Sequence, residues 1–167
     1  VVQKGLDYSA LTAGAFDMTI APLLNLYNSS FSETGGAPPR EQIQRALVLV
    51  GSERVQVGPG EIAFEKADMA VTLDGIAKGY IVDRAVEVLR RRGAERVLVN
   101  AGGDMASAGE ALGGDAWRIG LQDPRVPDGN LGVVQLQGES VATSGDYVQY
   151  LTPDMSLHHI IDPRTGS

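Results

Sequence analysis

The sequence predicts an α+β fold, a largely antiparallel sheet with a few packed helices, and a handful of patterns carry that expectation. Strand-like runs at residues 97–100, 117–122, 132–136 and 140–143 follow one another by links of hairpin length instead of through helices. A Gly58-Pro59-Gly60 turn joins the short runs 54–57 and 62–65 into a further hairpin. Between these groups, Ile76, Tyr80, Val82, Ala85, Val86 and Leu89 recur at helical spacing until Arg90-Arg91-Arg92-Gly93 ends the run with basic residues and a glycine.

The remaining elements follow in order. Residues 6–14 have helical character, and a turn at Ala21-Pro22 leads into an apolar stretch at 23–27. Asn28-Ser29-Ser30 and Gly35-Gly36-Ala37-Pro38-Pro39 read as a polar loop. Residues 41–50 form a short helix with Ile43, Ala46, Leu47 and Val50 on one face, closed by Gly51. Residues 69–73, Met-Ala-Val-Thr-Leu, read as a strand that feeds the helix beginning near Ile76. No repeat, low-complexity tract or dividing linker interrupts the chain, so a single domain over residues 1–167 is expected.

The chain has 167 residues, ample for a sizeable core, and no apolar run approaches the length of a membrane-spanning helix. A net charge of −7 argues against nucleic acid and against an anionic membrane surface as partners. It also means that any phosphate ligand needs local cations: a metal, a lysine or a helix N-terminus. The absence of cysteine removes disulfides, thiolate metal sites and cysteine nucleophiles.

The segment Thr72-Leu73-Asp74-Gly75-Ile76-Ala77-Lys78-Gly79-Tyr80 carries the most chemistry. It sets two glycines, an acid and a lysine where the chain enters a helix, whose first turn offers free N–H groups and the positive end of the helix dipole. It matches neither the Walker loop nor the dinucleotide fingerprint, so a purely structural turn with a solvated Lys78 stands beside the phosphate-binding reading. Ala15-Phe16-Asp17, after Gly14, is open in the same way. Either Phe16 is core and Asp17 caps a turn through Thr19, or the tripeptide is one wall of a ligand pocket. Asn100-Ala101-Gly102-Gly103-Asp104 is either a plain turn closed by Asp104 or a place where a ligand approaches backbone closely. In Thr143-Ser144-Gly145-Asp146-Tyr147, Ser144 lacks a neighbouring histidine or lysine to activate it. His158 and His159 point to opposite faces if extended, and Asp162 or Arg164 stands close enough in sequence to orient an imidazole or clamp a phosphate.

Taken as an ordered set, GAFDMT, GIAKGY, NAGGD, TSGDY and HHIIDPRTG resemble the ApbE family of FAD:protein FMN transferases. The resemblance runs from about Leu6 to the end of the chain. It implies an ApbE-like fold and Mg²⁺-dependent transfer of FMN from FAD to a threonine hydroxyl of a target flavoprotein, with release of AMP. Hydrolysis of FAD to FMN and AMP, or flavin binding without turnover, are the competing activities.

Carried over position by position, the resemblance gives FAD contacts at Ala15, Phe16, Asp17, Thr72, Lys78 and Ile161, with Mg²⁺ at the Gly75 carbonyl and Asp74. His159, directly before Ile160-Ile161-Asp162-Pro163, is the matching base, and His158 is left as structural. Family members most often carry Asp-Leu-Gly-Gly where this chain has Thr72-Leu73-Asp74-Gly75. In a strand, residues two apart share a side, so Asp74 is expected to stand in for the usual aspartate. The resemblance also makes this chain the central portion of a longer protein, trimmed at both ends, with further metal ligands after Ser167. It implies an exported protein on the periplasmic face of the cytoplasmic membrane, held by a lipid anchor not contained in these residues.

Overall fold

The computed structural model describes residues 1–126, 128–145, 152 and 158–167. Among these residues it is an α+β structure of four α-helices and antiparallel strand pairs. Two compact units are present, one of residues Val1–Gly75 with Val148–Ser167 and the other of Ile76–Tyr147. None of the helices among the described residues is long and apolar enough to cross a membrane.

In the first unit, α1 spans Val2–Leu11. It begins earlier than residues 6–14 because Gly5, which looks like a breaker, is a packing residue: a Cβ there would lie 2.6 Å from Met18 Sδ. It also stops earlier, since Ala13 (φ 51°) and Gly14 (φ 77°) turn left-handed, and the Gly14 N–H closes back on the Ser9 carbonyl at 2.9 Å.

Helix α2, Ala21–Thr34, runs straight through the Asn28-Ser29-Ser30 segment that reads as a loop in sequence. Pro22 lies in its first turn, where a missing N–H costs nothing. Leu23 and Tyr27, one turn apart, are buried with Ile20 and Ile161, and Leu24, Leu26 and Phe31 pack against them. That apolar stripe holds the helix together past its polar face until Gly35 (φ 70°) caps it. Helix α3, Arg40–Leu47, lays Ile43, Ala46 and Leu47 on the same core. The hairpin forms as its turn predicts, β1 (Val55–Gly58) against β2 (Glu61–Phe64), with Gly58 opposite Glu61.

Residues 69–73 do not form the expected strand. One backbone bond, from Thr72 N–H to the Met18 carbonyl at 2.8 Å, ties the segment to the short 3-10 turn Met18–Ile20, which has no extended edge to build a ladder on. Residues 74–76 are a turn, so strand alternation does not put Asp74 on the side of Thr72.

In the second unit, α4 spans Ala77–Arg91 and presses Val82 and Val86 onto Val97 and Ala106. Strand β3 (Val97–Ala101) turns at Gly102-Gly103 into β4 (Asp104–Ala108), with Ala101 opposite Asp104. Strand β4 is absent from the sequence-level expectation because Asp-Met-Ala-Ser-Ala has no branched or aromatic residue to signal it; burial between neighbours makes small residues suitable there. It is the middle strand of a three-stranded sheet, β3-β4-β7, where β7 is Ser140–Val141. The hairpin of β5 (Trp117–Gln122) and β6 (Asn130–Leu136) completes the unit.

Candidate functional site

Asp17 is the hub of the first unit. It is buried, and its carboxylate accepts from the Ser9 hydroxyl (3.3 Å), the Thr19 N–H (2.8 Å) and hydroxyl (2.6 Å), and the Ser52 N–H (3.0 Å) and hydroxyl (2.7 Å). Its acceptor capacity is used by the protein, as in the capping reading, so what it offers a ligand is position and backbone. Thr19 continues the network by accepting the Gly51 N–H at 2.7 Å. Ser9 and Ser52, which sequence reasoning passed over, are therefore structural members of this site; their only signal was a small hydroxyl residue at a helix and a turn start. A cleft of about 450 Å³ opens beside the network, lined by Leu6, Ala10, Ala13, Gly14, Asp17 and Ser52 among others.

The turn before Asp17 presents Ala15, which is exposed, and Phe16, which is half-buried. The Phe16 N–H donates to the Thr12 hydroxyl at 3.0 Å, and its ring meets Tyr8 edge-on, centroids 6.3 Å apart at 80°. On another side the ring closes on Gly75, where a Cβ would lie 3.0 Å from Phe16 Cε2. The tertiary structure thus brings two of the sequence motifs into contact. Next to Gly75, the Thr72 hydroxyl accepts the Asp74 N–H at 3.2 Å, and the Asp74 side chain is left in solvent.

Asp74 and the Gly75 carbonyl are oxygen donors of the kind Mg²⁺ takes. Both residues are exposed, and no cluster of three histidine, cysteine or acidic side chains able to hold a metal occurs among the described residues. One carboxylate and one carbonyl do not displace enough of the ion's tightly held water, so these two do not constitute a Mg²⁺ site by themselves.

The C-terminal motif supplies core as well as surface. Ile161 is buried against Ile20, Leu23 and Tyr27, while His159 is exposed and His158 half-buried with Nδ1 fully covered. Tyr27 donates its hydroxyl to the Gly166 carbonyl at 2.7 Å, and burial raises its pKa. Arg164 grips Asp162 through its backbone N–H (2.9 Å), Nε (2.9 Å) and Nη2 (2.7 Å). These bonds hold the Asp162 carboxyl down at about 2 and push the Arg164 guanidinium further up. The pair is thereby a self-contained turn clamp, and Arg164 lies alongside Gly14, 3.7 Å from where its Cβ would be.

In the second unit, Lys78 sits in the first turn of α4 with its Nζ 2.6 Å from Asp104 Oδ2. The lysine side chain is 58% exposed and the aspartate side chain 12%. In the turn before Asp104, Gly102 (φ 68°) and Gly103 (φ 101°) are left-handed, and Asn100 Oδ1 accepts the Gly103 N–H at 3.0 Å. Thr143 Oγ1 lies 3.2 Å from where a Gly103 Cβ would be, which places Thr143, the first residue of the TSGDY motif, beside this turn. Asp146 and Tyr147 of that segment lie outside the described residues.

These features define a class: an α+β protein with antiparallel sheets that carries its polar motifs on glycine-bearing turns beside helix starts. A model of the ApbE family matches residues 1–167, and the chain belongs to that family. Among its relatives, the FAD:protein FMN transferase of Vibrio cholerae is 31% identical over 169 residues, covering 99% of this chain and 51% of that protein. One from Klebsiella pneumoniae is 33% identical over 170 residues, covering 99% and 52%. The crystal structure of the ApbE protein from Thermotoga maritima superposes with a TM-score of 0.88 at 35% identity, covering 99% of this chain and 54% of that one. The apo flavinyl transferase ApbE of Pseudomonas stutzeri gives 0.82 at 33% identity, covering 99% and 52%. The chain spans about half the length of the relatives it matches.

Proposed function

We propose that this chain is the FAD-handling part of a flavin transferase, which moves FMN from FAD onto a threonine hydroxyl of a target flavoprotein. The threonine oxygen forms a bond to the FMN-side phosphorus, the bond from that phosphorus to the bridging oxygen breaks, and AMP leaves with the bridging oxygen. His159 takes the threonine proton; its exposure suits a group that must meet another protein's side chain. In the first unit Phe16 offers the apolar wall for the flavin nucleotide, Ala15 and Asp17 offer backbone groups, Thr72 offers a hydroxyl, and Ile161 backs the site from the core; in the second unit Lys78 supplies charge to phosphate.

The observation that carries the reading is the contact of Phe16 with Gly75, which joins two of the motifs on which the resemblance to FAD:protein FMN transferases rests. Mg²⁺ belongs to the proposal as the counter-charge for a net negative protein, with Asp74 and the Gly75 carbonyl as partial ligands that need further oxygen donors from the whole protein. Export to the periplasmic face of the membrane, where a lipid anchor would hold the whole protein, is part of the same proposal.

The test is a titration of the chain with FAD and with riboflavin, followed by intact-mass analysis of a threonine-bearing acceptor incubated with the full-length protein, FAD and Mg²⁺. Lys78→Ala is expected to weaken FAD more than riboflavin, and the acceptor is expected to gain one FMN. Equal losses for both ligands remove the phosphate role of Lys78. Free FMN with an unmodified acceptor makes the protein an FAD pyrophosphatase, and tight FAD retention without any product makes it a binding module.

A further inference from the structure

We propose that Asp104 is a positioning residue that holds the Lys78 ammonium over the first turn of α4, ready for a phosphate oxygen; the inference rests on the phosphate role given to Lys78 above. Asp104 is the first residue of β4 and pairs with Ala101 of β3, and the two residues that follow it, Met105 and Ala106, pair with β7, so the strand that carries Asp104 is held on both edges directly after it. The Asp104 side chain is nearly buried, and its Oδ2 receives no hydrogen bond among the described residues. The charge facing that oxygen is Lys78 Nζ at 2.6 Å.

A buried acceptor left to one ammonium is costly to leave unmatched, which gives the pair more weight than an exposed ion pair has. Lys78 by contrast keeps more than half of its side chain in solvent, so the ammonium retains donors directed away from Asp104. A lysine has a long flexible stem, and a ligand that recruits it must freeze that stem. Asp104 has already done so in the free protein. The Gly102-Gly103 turn makes this possible, because its left-handed backbone lets β4 start directly beneath the first turn of the helix that packs on β3 and β4.

The chain has only three lysines, Lys4, Lys66 and Lys78, so the ammonium signals of a ¹⁵N-lysine-labelled sample are readily assigned. The expected result is that Lys78 Nζ protons exchange with water more slowly than those of exposed Lys4, and that Asp104→Asn abolishes the difference while thermal unfolding stays cooperative. Asp104→Asn is also expected to lower FAD affinity on the order of tenfold, as Lys78→Ala does, with the double variant no worse than either single one. Asp104→Glu, which keeps the charge, should recover part of the loss.

A wild-type Lys78 ammonium that exchanges as fast as that of Lys4 overturns the proposal without any variant being made. So does full FAD affinity in Asp104→Asn when Lys78→Ala is weakened, a result that leaves the proposed function standing. If Lys78→Ala itself binds FAD normally, the phosphate role fails and takes this inference with it.

Discussion

Phe16 and Gly75 fit together without room for a methyl group, a Cβ at position 75 lying 3.0 Å from Phe16 Cε2. The ring cannot simply retreat, since Tyr8 stands edge-on to it. Glycine at 75 is thus a matter of space and not of backbone conformation, because Gly75 is absent from the positive-φ residues. The arrangement lets the backbone at Gly75 pass directly against the aromatic side chain proposed to meet the flavin nucleotide.

Gly75→Ala is accordingly expected to destabilise the chain by about 1 kcal/mol, the cost of modest overcrowding, and to weaken FAD binding through displacement of Phe16. Phe16→Leu in the same background should restore stability, although not binding. Chemical denaturation of the two single variants and the double one measures it. Additive losses would show that the two residues do not contend for the same space.

The Asp17 network makes a larger prediction. Asp17→Ala leaves three hydroxyls and two N–H groups of Ser9, Thr19 and Ser52 without their acceptor, so a loss of about 3 kcal/mol or more in unfolding free energy is expected. Asp17→Asn should recover only part of this, because one carboxylate oxygen becomes a donor facing other donors. A loss below about 0.5 kcal/mol in Asp17→Ala, the scale of an ordinary surface substitution, would mean that these donors find other partners.

Asp162 should titrate far below the ordinary carboxylate range. Its folded value is lowered from 3.8 to about 2, chiefly by the side-chain bonds from Arg164. A depressed carboxyl contributes stability at pH above its unfolded value, and that contribution is lost as pH falls through the folded one. The C-terminal turn is therefore expected to loosen between about pH 4 and pH 2, and Arg164→Gln should return the Asp162 midpoint toward 3.8. Carboxyl ¹³C NMR during acid titration reads this directly, and a wild-type midpoint near 3.8 would contradict the clamp.

The two histidines should separate cleanly. His159→Asn is expected to depress FMN transfer by the full-length protein about a hundredfold or more while leaving FAD affinity within a few-fold, as befits a proton acceptor that acts mainly in the transition state. His158→Asn should change transfer less and stability more, because its Nδ1 is buried. Greater loss of transfer at 158 than at 159 would reverse the assignment.

Elements with strong local signals were legible in the sequence: the Gly58-Pro59-Gly60 hairpin, α4 with its 3.6-residue stripe, and the strands at 97, 117 and 132 all form near their expected positions. Their propensity and burial agree, so short-range information suffices. The sequence also determined, through ordered motifs, which family the chain belongs to, because those motifs depend on residue identity and not on geometry.

Other features needed the folded chain. Helix α2 outruns its apolar stretch, β4 forms from small residues, and 69–73 has no partner edge to become a strand; in each case packing by distant residues overrides a local preference. The same holds for the roles of single side chains. Whether Asp17 holds the structure together or is free for a ligand depends on Ser9 and Ser52, and Lys78 differs from a solvated lysine only because Asp104 lies beneath it. Hydrogen bonds and ion pairs act over a few ångströms, and only the tertiary structure decides which residues come within that reach.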